Sequence, residues 1–247
     1  DWWRRCHCAR ARGRALGPPH KVQKSAGLSG LEMAQGAVGV CVQKTDEALA
    51  LAHAGARDIY ISNEVIAPAK LARLAQAMRG LPTRFAIAVD SALGIARLAE
   101  ALQHAGVTGP AAMDVFVEID VGHGRCGVAP AQALALVQQV MAQPALRFAG
   151  LQAYHGSAQH RRGVTERDAA LATSEAAVRE TLAILGAAGI AVPLVTGAGT
   201  GSFVRETNSG LWGELQAGSY LFMDADYASN EADPGAPTFE HPPLIHI

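Results

Sequence analysis

No stretch of this sequence approaches the roughly 20 consecutive apolar residues a helix needs to cross a bilayer, and no apolar core follows its Arg-rich start. A membrane span and a secretory leader are therefore not expected, and the cytoplasm is the default setting. Charge of one sign is also missing. The formal net charge is −1, with 21 basic and 22 acidic residues, so the electrostatic footprint of a nucleic-acid binder is absent and a small-molecule substrate is expected. Cysteine is scarce: Cys6, Cys8, Cys41 and Cys126 make no disulfide framework, and the 6-CHC-8 triplet has no second ligand pair at zinc-site spacing. Sequence repeats and low-complexity tracts are lacking too.

What is present is a rhythm. Of the 247 residues 49% are hydrophobic and 17% charged, which is enough to bury a full core. Short apolar runs such as 114-DVFVEID-120, 148-FAGLQAY-154 and 192-VPLVT-196 break into the polar segments 121-VGHGRCG-127, 155-HGSAQH-160 and 197-GAGTG-201. Strands are expected at 36–43, 58–64, 84–91, 114–122, 148–156, 192–199 and 214–223, with an eighth ahead of Gly36. Helical spacing covers 45–54, 68–79, 92–105, 130–142 and 165–189. This alternation predicts a (β/α)₈ barrel, with an open doubly wound sheet as the alternative. Both folds place their chemistry at the carboxyl ends of the strands. Residues 1–20 read as an irregular segment, 21–228 as the barrel, and 229–247 as the start of a further domain.

The polar breaks supply the candidate site. The loop 197-GAGTGS-202 can turn several N–H groups toward a phosphate, with the Thr200 hydroxyl as a further donor. It lacks the Lys of a Walker loop and the third Gly of a dinucleotide fingerprint. Gly218 and Ser219 form a second donor pair, and barrels often bind phosphate with the loops after their last two strands. Arg125 stands where a long cation can reach back over the mouth. Tyr154, His155 and His160 follow one buried strand, and Gln216 sits where an inward amide needs partners. Lys21 and Lys24 both lie where the missing strand should end, and a lysine in a dry barrel mouth can lose its charge and form a Schiff base.

Taken together, 36-GAVGVCVQK-44, 60-YISNEV-65, 114-DVFVEIDVGHGRCGVAP-130, 148-FAGLQAYHGSAQH-160, 195-VTGAGTGSF-203 and 214-ELQAGSYLFMDADY-227 resemble the D-threonine aldolase family of fold-type III pyridoxal-phosphate enzymes. The resemblance spans about residues 21–230. It implies a TIM-like barrel of the alanine racemase N-terminal type, incomplete at both ends, and a homodimer. Pyridoxal 5'-phosphate is the implied cofactor, and a small D-amino acid is the implied substrate. In this comparison Lys21 falls at the Schiff-base position, although 18-PPHKVQKS-25 departs from the family's pattern and leaves Lys24 open. Arg125 supports the phenolic oxygen, Tyr154 packs on the ring, and Gln216 meets the pyridine nitrogen. Gly199, Thr200, Gly218 and Ser219 hold the phosphate, and His160 serves near the β-hydroxyl. A divalent cation is also implied, with ligands outside this chain and no metal ligand assigned within it. The implied reaction is cleavage of D-threonine or a related D-β-hydroxy-amino acid to glycine and an aldehyde. A D-serine dehydratase and a non-catalytic pyridoxal-phosphate carrier are the alternatives. With both ends departing from the family, weak cofactor capture and no turnover are expected of the chain as written.

Overall fold

The structure, a computed structural model, describes residues 13–233 together with Ala236, Pro237 and Phe239. Cys6 and Cys8, like most of the expected terminal segments, lie outside the described residues. Eight parallel strands run in the order β1-β8-β7-β6-β5-β4-β3-β2. They are β1 (Ala15–Leu16), β2 (Val40–Val42), β3 (Asp58–Glu64), β4 (Arg84–Val89), β5 (Met113–Glu118), β6 (Leu146–Ala153), β7 (Val195–Gly197) and β8 (Glu214–Leu215). The order makes the sheet a curled (β/α)₈ barrel rather than an open doubly wound sheet. A helix follows each strand in the chain: α1 (Ala26–Ala34), α2 (Thr45–His53), α3 (Pro68–Gly80), α4 (Ala92–His104), α5 (Pro130–Met141), α6 (Val164–Ala187), α7 (Phe203–Ser209) and α8 (Ala225–Ala228).

Local chemistry explains these elements. Every residue of β5 is buried, the pattern of a parallel strand covered on both faces. In α4 the Ser91 hydroxyl accepts from the Gly94 N–H at 3.2 Å, while Ile95, Leu98, Ala99 and Leu102 form the buried stripe. Pro130 opens α5, where a missing N–H costs nothing. The main core packs the helices on the outside of the barrel. A small inner cluster of Cys41, Tyr60, Ala86, Ala88 and Phe116 fills its interior, with the Tyr60 and Phe116 rings 4.9 Å apart. At the amino ends, Asp114 accepts from Arg84 at 2.6 Å and pairs with Arg147, and Arg84 also holds Asp58.

Two expectations change. The first strand is present, as β1, inside the segment read as irregular. It is only two residues long and sits in Arg-rich sequence, so it carries no apolar run. It pairs with β8 through Ala15↔Glu214 and Leu16↔Leu215. Toward β2 the barrel is held by one bridge, Pro19↔Cys41, with His20 N–H donating to the Cys41 carbonyl at 2.7 Å, Cys41 N–H to that of Pro18 at 3.0 Å and Val38 N–H to that of Leu16 at 3.0 Å. The expected strand at 214–223 is the second change. After Leu215 the ladder ends with the Gln216 N–H on the Gly197 carbonyl, and Ser219–Leu221 turns into a 3₁₀ segment. There Gly218 lies so close to the segment after β1 that an added Cβ would sit 2.5 Å from Pro19 Cδ.

Candidate active site at the barrel mouth

The carboxyl ends of the strands open on a cleft whose lining includes Lys21, Arg125, Tyr154, Gly199, Thr200, Gln216, Gly218 and Ser219. All eight residues expected to hold the cofactor are therefore gathered in one place. Lys21 stands exposed at the lip, in the turn after Pro19, so the dry surroundings expected for it are not those of this arrangement. Lys24 is not part of the lining and takes a left-handed φ of 44°.

The phosphate-type donors are specific. No described acceptor takes the main-chain N–H of Thr200, Gly218 or Ser219. The Thr200 hydroxyl oxygen accepts from the Tyr220 N–H at 3.2 Å, which leaves its own hydrogen free to donate. Behind this loop lies a support that the sequence did not disclose. Gln159, 1% exposed, accepts from the Gly201 N–H at 2.8 Å and donates to the Ser202 hydroxyl at 2.6 Å. Ser202 in turn donates to Glu206 at 2.6 Å. Burial pushes the Glu206 carboxyl up to about 8, and its Oε1 has no partner. The only sequence signal for Gln159 was its place between His155 and His160.

Deeper in the barrel, Gln216 and Gln152 form a reciprocal amide pair. Gln216 Nε2 donates to Gln152 Oε1 and to Thr196 Oγ1, both at 2.8 Å, while Gln152 Nε2 donates back at 3.4 Å. Tyr60 donates to Gln152 at 2.9 Å, and the Thr196 hydroxyl donates to Glu214 at 2.7 Å. Both N–H bonds of the Gln216 amide are thus committed, so meeting a pyridine nitrogen requires it to turn. Burial raises the Glu214 carboxyl above its usual range.

On the opposite wall the Arg125 guanidinium lies 5.7 Å from the centre of the Tyr154 ring. Asp120 shapes the Arg125 loop by accepting the N–H groups of Gly122 at 2.9 Å and Gly124 at 3.0 Å. At Gly127 the φ is 92°, and a Cβ would fall 2.6 Å from the Asp120 nitrogen. His155 is buried and caps a 3₁₀ turn, accepting at Nδ1 from the Ala158 N–H at 3.2 Å, which makes it structural. His160 does not line the cleft. It is exposed, with Nδ1 2.5 Å from Asp226 Oδ2 and its ring 6.0 Å from that of Tyr227, which does line it. The Arg162 and His160 hydrogen bonds hold the Asp226 carboxyl below its usual range.

One grouping escaped the sequence entirely. Glu64 ends β3, Asp90 follows β4 and Cys126 follows β5, yet their ligand atoms lie within 4.8 Å of one another. Burial, and then the Glu64 carboxyl, raises both the neighbouring Glu118 carboxyl and the Cys126 thiol.

A parallel barrel whose last two strand loops turn free N–H donors into a cleft that also holds a lysine defines the class of the phosphate-anchored cofactor barrels. The chain belongs to the family described as the alanine racemase N-terminal domain, whose model matches residues 18–226, within the fold-type III pyridoxal-phosphate enzymes. It is similar to the D-threonine aldolase of Arthrobacter sp, at 45% identity over 228 residues, 92% of this chain and 58% of the relative. Among solved structures it resembles the D-threonine aldolase from Filomicrobium marinum, with a TM-score of 0.91, 42% identity, and coverage of 97% of this chain and 63% of that one. D-threo-3-hydroxyaspartate dehydratase from Delftia sp. HT23 follows at a TM-score of 0.81 and 25% identity, covering 92% and 59%. The chain thus spans about three-fifths of the length of these relatives.

Proposed function

We propose that this barrel belongs to a pyridoxal-phosphate-dependent lyase that cleaves D-threonine or a related D-β-hydroxy-amino acid to glycine and an aldehyde. The observation that carries this is the single cleft uniting Lys21, Arg125 and Tyr154 with the acceptor-free N–H groups of Thr200, Gly218 and Ser219. Those donors, with the Gly199 turn and the Thr200 hydroxyl, fit a phosphate. Lys21 supplies the amine that holds the cofactor, Arg125 faces its phenolic oxygen, and Tyr154 packs against its ring. Gln216 faces the pyridine nitrogen once it turns from Thr196, and being a neutral amide it leaves that nitrogen unprotonated. When bound, the cofactor supplies the electron sink for Cα–Cβ cleavage.

His160 takes the proton of the substrate β-hydroxyl. Asp226 engages its Nδ1, which orients the ring and leaves Nε2 for that proton. A divalent cation that holds the same hydroxyl belongs to this proposal, as do assembly as a homodimer and a cytoplasmic location. Among the described residues no helix is long and apolar enough to cross a membrane.

Adding pyridoxal phosphate to the protein tests the anchor. The protein-bound cofactor band should vanish in Lys21→Ala and persist in Lys24→Ala; the reverse result would overturn the assignment. The likeness to the hydroxyaspartate dehydratase favours a second reading, loss of the β-hydroxyl. Incubation with D-threonine separates the two, because glycine plus aldehyde marks the aldolase and 2-oxobutanoate plus ammonia marks the dehydratase. Cofactor retention without turnover, in wild type and His160→Ala alike, would instead mark a carrier.

A further inference from the structure

We propose that Glu32 is a positioning residue that sets the reach between Lys21 and the phosphate-type donors of the cleft. The role rests on the reading of Lys21 and the last two strand loops as one cofactor site. Glu32 lies on α1, outside the cleft lining, in a stretch, 26-AGLSGLEMA-34, that carries no motif. It is 1% exposed, yet each of its carboxylate oxygens accepts a hydrogen bond from a different segment. Oε2 accepts from Gln23 Nε2 at 2.9 Å, and Oε1 accepts from the Tyr220 hydroxyl at 3.0 Å.

Those two partners stand beside the two ends of the cleft. Gln23 is two positions beyond Lys21, and Tyr220 directly follows Ser219. The links extend further on both sides. One turn earlier on α1, Ser29 meets His20 Nδ1 at 3.0 Å and accepts from Gln23 at 3.3 Å, so α1 grips the chain before and after Lys21. At the other end the Tyr220 N–H donates to Thr200 Oγ1 at 3.2 Å, which joins the second donor loop to the first. Glu32 thus bonds at once to the lysine turn and to the phosphate-type turn. Burying a carboxylate is expensive, and an apolar residue would pack the two segments as well. What the carboxylate adds is direction, because hydrogen bonds fix where each segment stands. A ligand that must touch the amine and the donors together binds best when their separation is already right.

The test compares two ligands on the full chain: pyridoxal phosphate, which must reach both ends, and 5-deoxypyridoxal, which has the same aldehyde and ring but no phosphate. Affinity is read from the protein-bound absorbance band after subtraction of the Lys21→Ala chain. The buffer is held above the value of about 7 to which burial lifts the Glu32 carboxyl, so that both oxygens accept. Glu32→Ala should lower the affinity for pyridoxal phosphate roughly tenfold and leave that for 5-deoxypyridoxal unchanged. Tyr220→Phe keeps the ring, loses only the hydroxyl, and should give the same split, which decides the matter if Glu32→Ala folds poorly. Glu32→Gln should retain wild-type behaviour, since its amide can accept from Tyr220 and donate to a turned Gln23. Equal losses for both ligands, or no loss for pyridoxal phosphate, would overturn the role of Glu32. A wild type that holds pyridoxal phosphate no better than 5-deoxypyridoxal would overturn the cofactor reading itself, and this role with it.

Discussion

Glu206 shows how one side chain can tie stability to the state of the mouth. It lies fully buried beneath the 199–202 loop, accepts the Ser202 hydroxyl, and has its carboxyl raised from 4.5 to about 8. Between those two values the native protein binds a proton at this residue that the unfolded chain does not. Stability contributed by the neutral form is therefore lost as pH rises from about 4.5 to about 8, and the curve flattens above that window. Glu206→Gln keeps an acceptor for Ser202 and cannot ionise. Chemical denaturation at several pH values should show the variant gaining on wild type steadily across that window; parallel curves would refute the assignment. At this scale the sequence was readable where a residue's neighbours along the chain announced it. Arg125 within 121-VGHGRCG-127 and Thr200 within 197-GAGTGS-202 both reached the cleft. Gln159 and Glu206 were not readable, because their roles come from a loop contacted across the fold rather than from their own surroundings.

Among elements, the long helices declared themselves through regular apolar spacing. The expected 130–142 is α5 (Pro130–Met141), and the expected 165–189 is α6 (Val164–Ala187). What failed was the short and the irregular. Two-residue β1 has no period to detect, and 214-ELQAGSYLFM-223 imitates a strand although Gly218 and the Tyr220 contacts bend it away. The segment joining β5 to α5 is set by Gly127, whose φ of 92° and 2.6 Å approach to the Asp120 nitrogen exclude a side chain. Gly127→Ala should destabilise the fold by about 1–3 kcal/mol. It should also loosen the loop that presents Arg125, so weaker cofactor binding should accompany the lower midpoint of thermal unfolding. An unchanged midpoint would show that the loop tolerates a Cβ.

The whole molecule divides its labour between the two ends of the barrel. The amino ends carry the Asp58, Arg84, Asp114 and Arg147 network, while the carboxyl ends carry the cleft. The β/α rhythm was enough to read this polarity, because parallel strands fix which end faces the site. The convergence of Glu64, Asp90 and Cys126 needed the curvature of the sheet itself and could not be read from spacing. Curvature also leaves one unequal join. Along β3 to β6 the ladders run for several residues, whereas toward β2 the first strand is joined by one bridge, Pro19↔Cys41. Lys21 lies two positions beyond that bridge, with Gly218 and Ser219 opposite it in the same cleft. A ligand held between them would act as a clasp, stapling the first strand to the rest of the ring. Amide hydrogen exchange should then slow most at His20, Val38 and Cys41 when pyridoxal phosphate is added, and much less in β5. The opening lysine would thus serve as a latch for the fold as well as a handle for the chemistry.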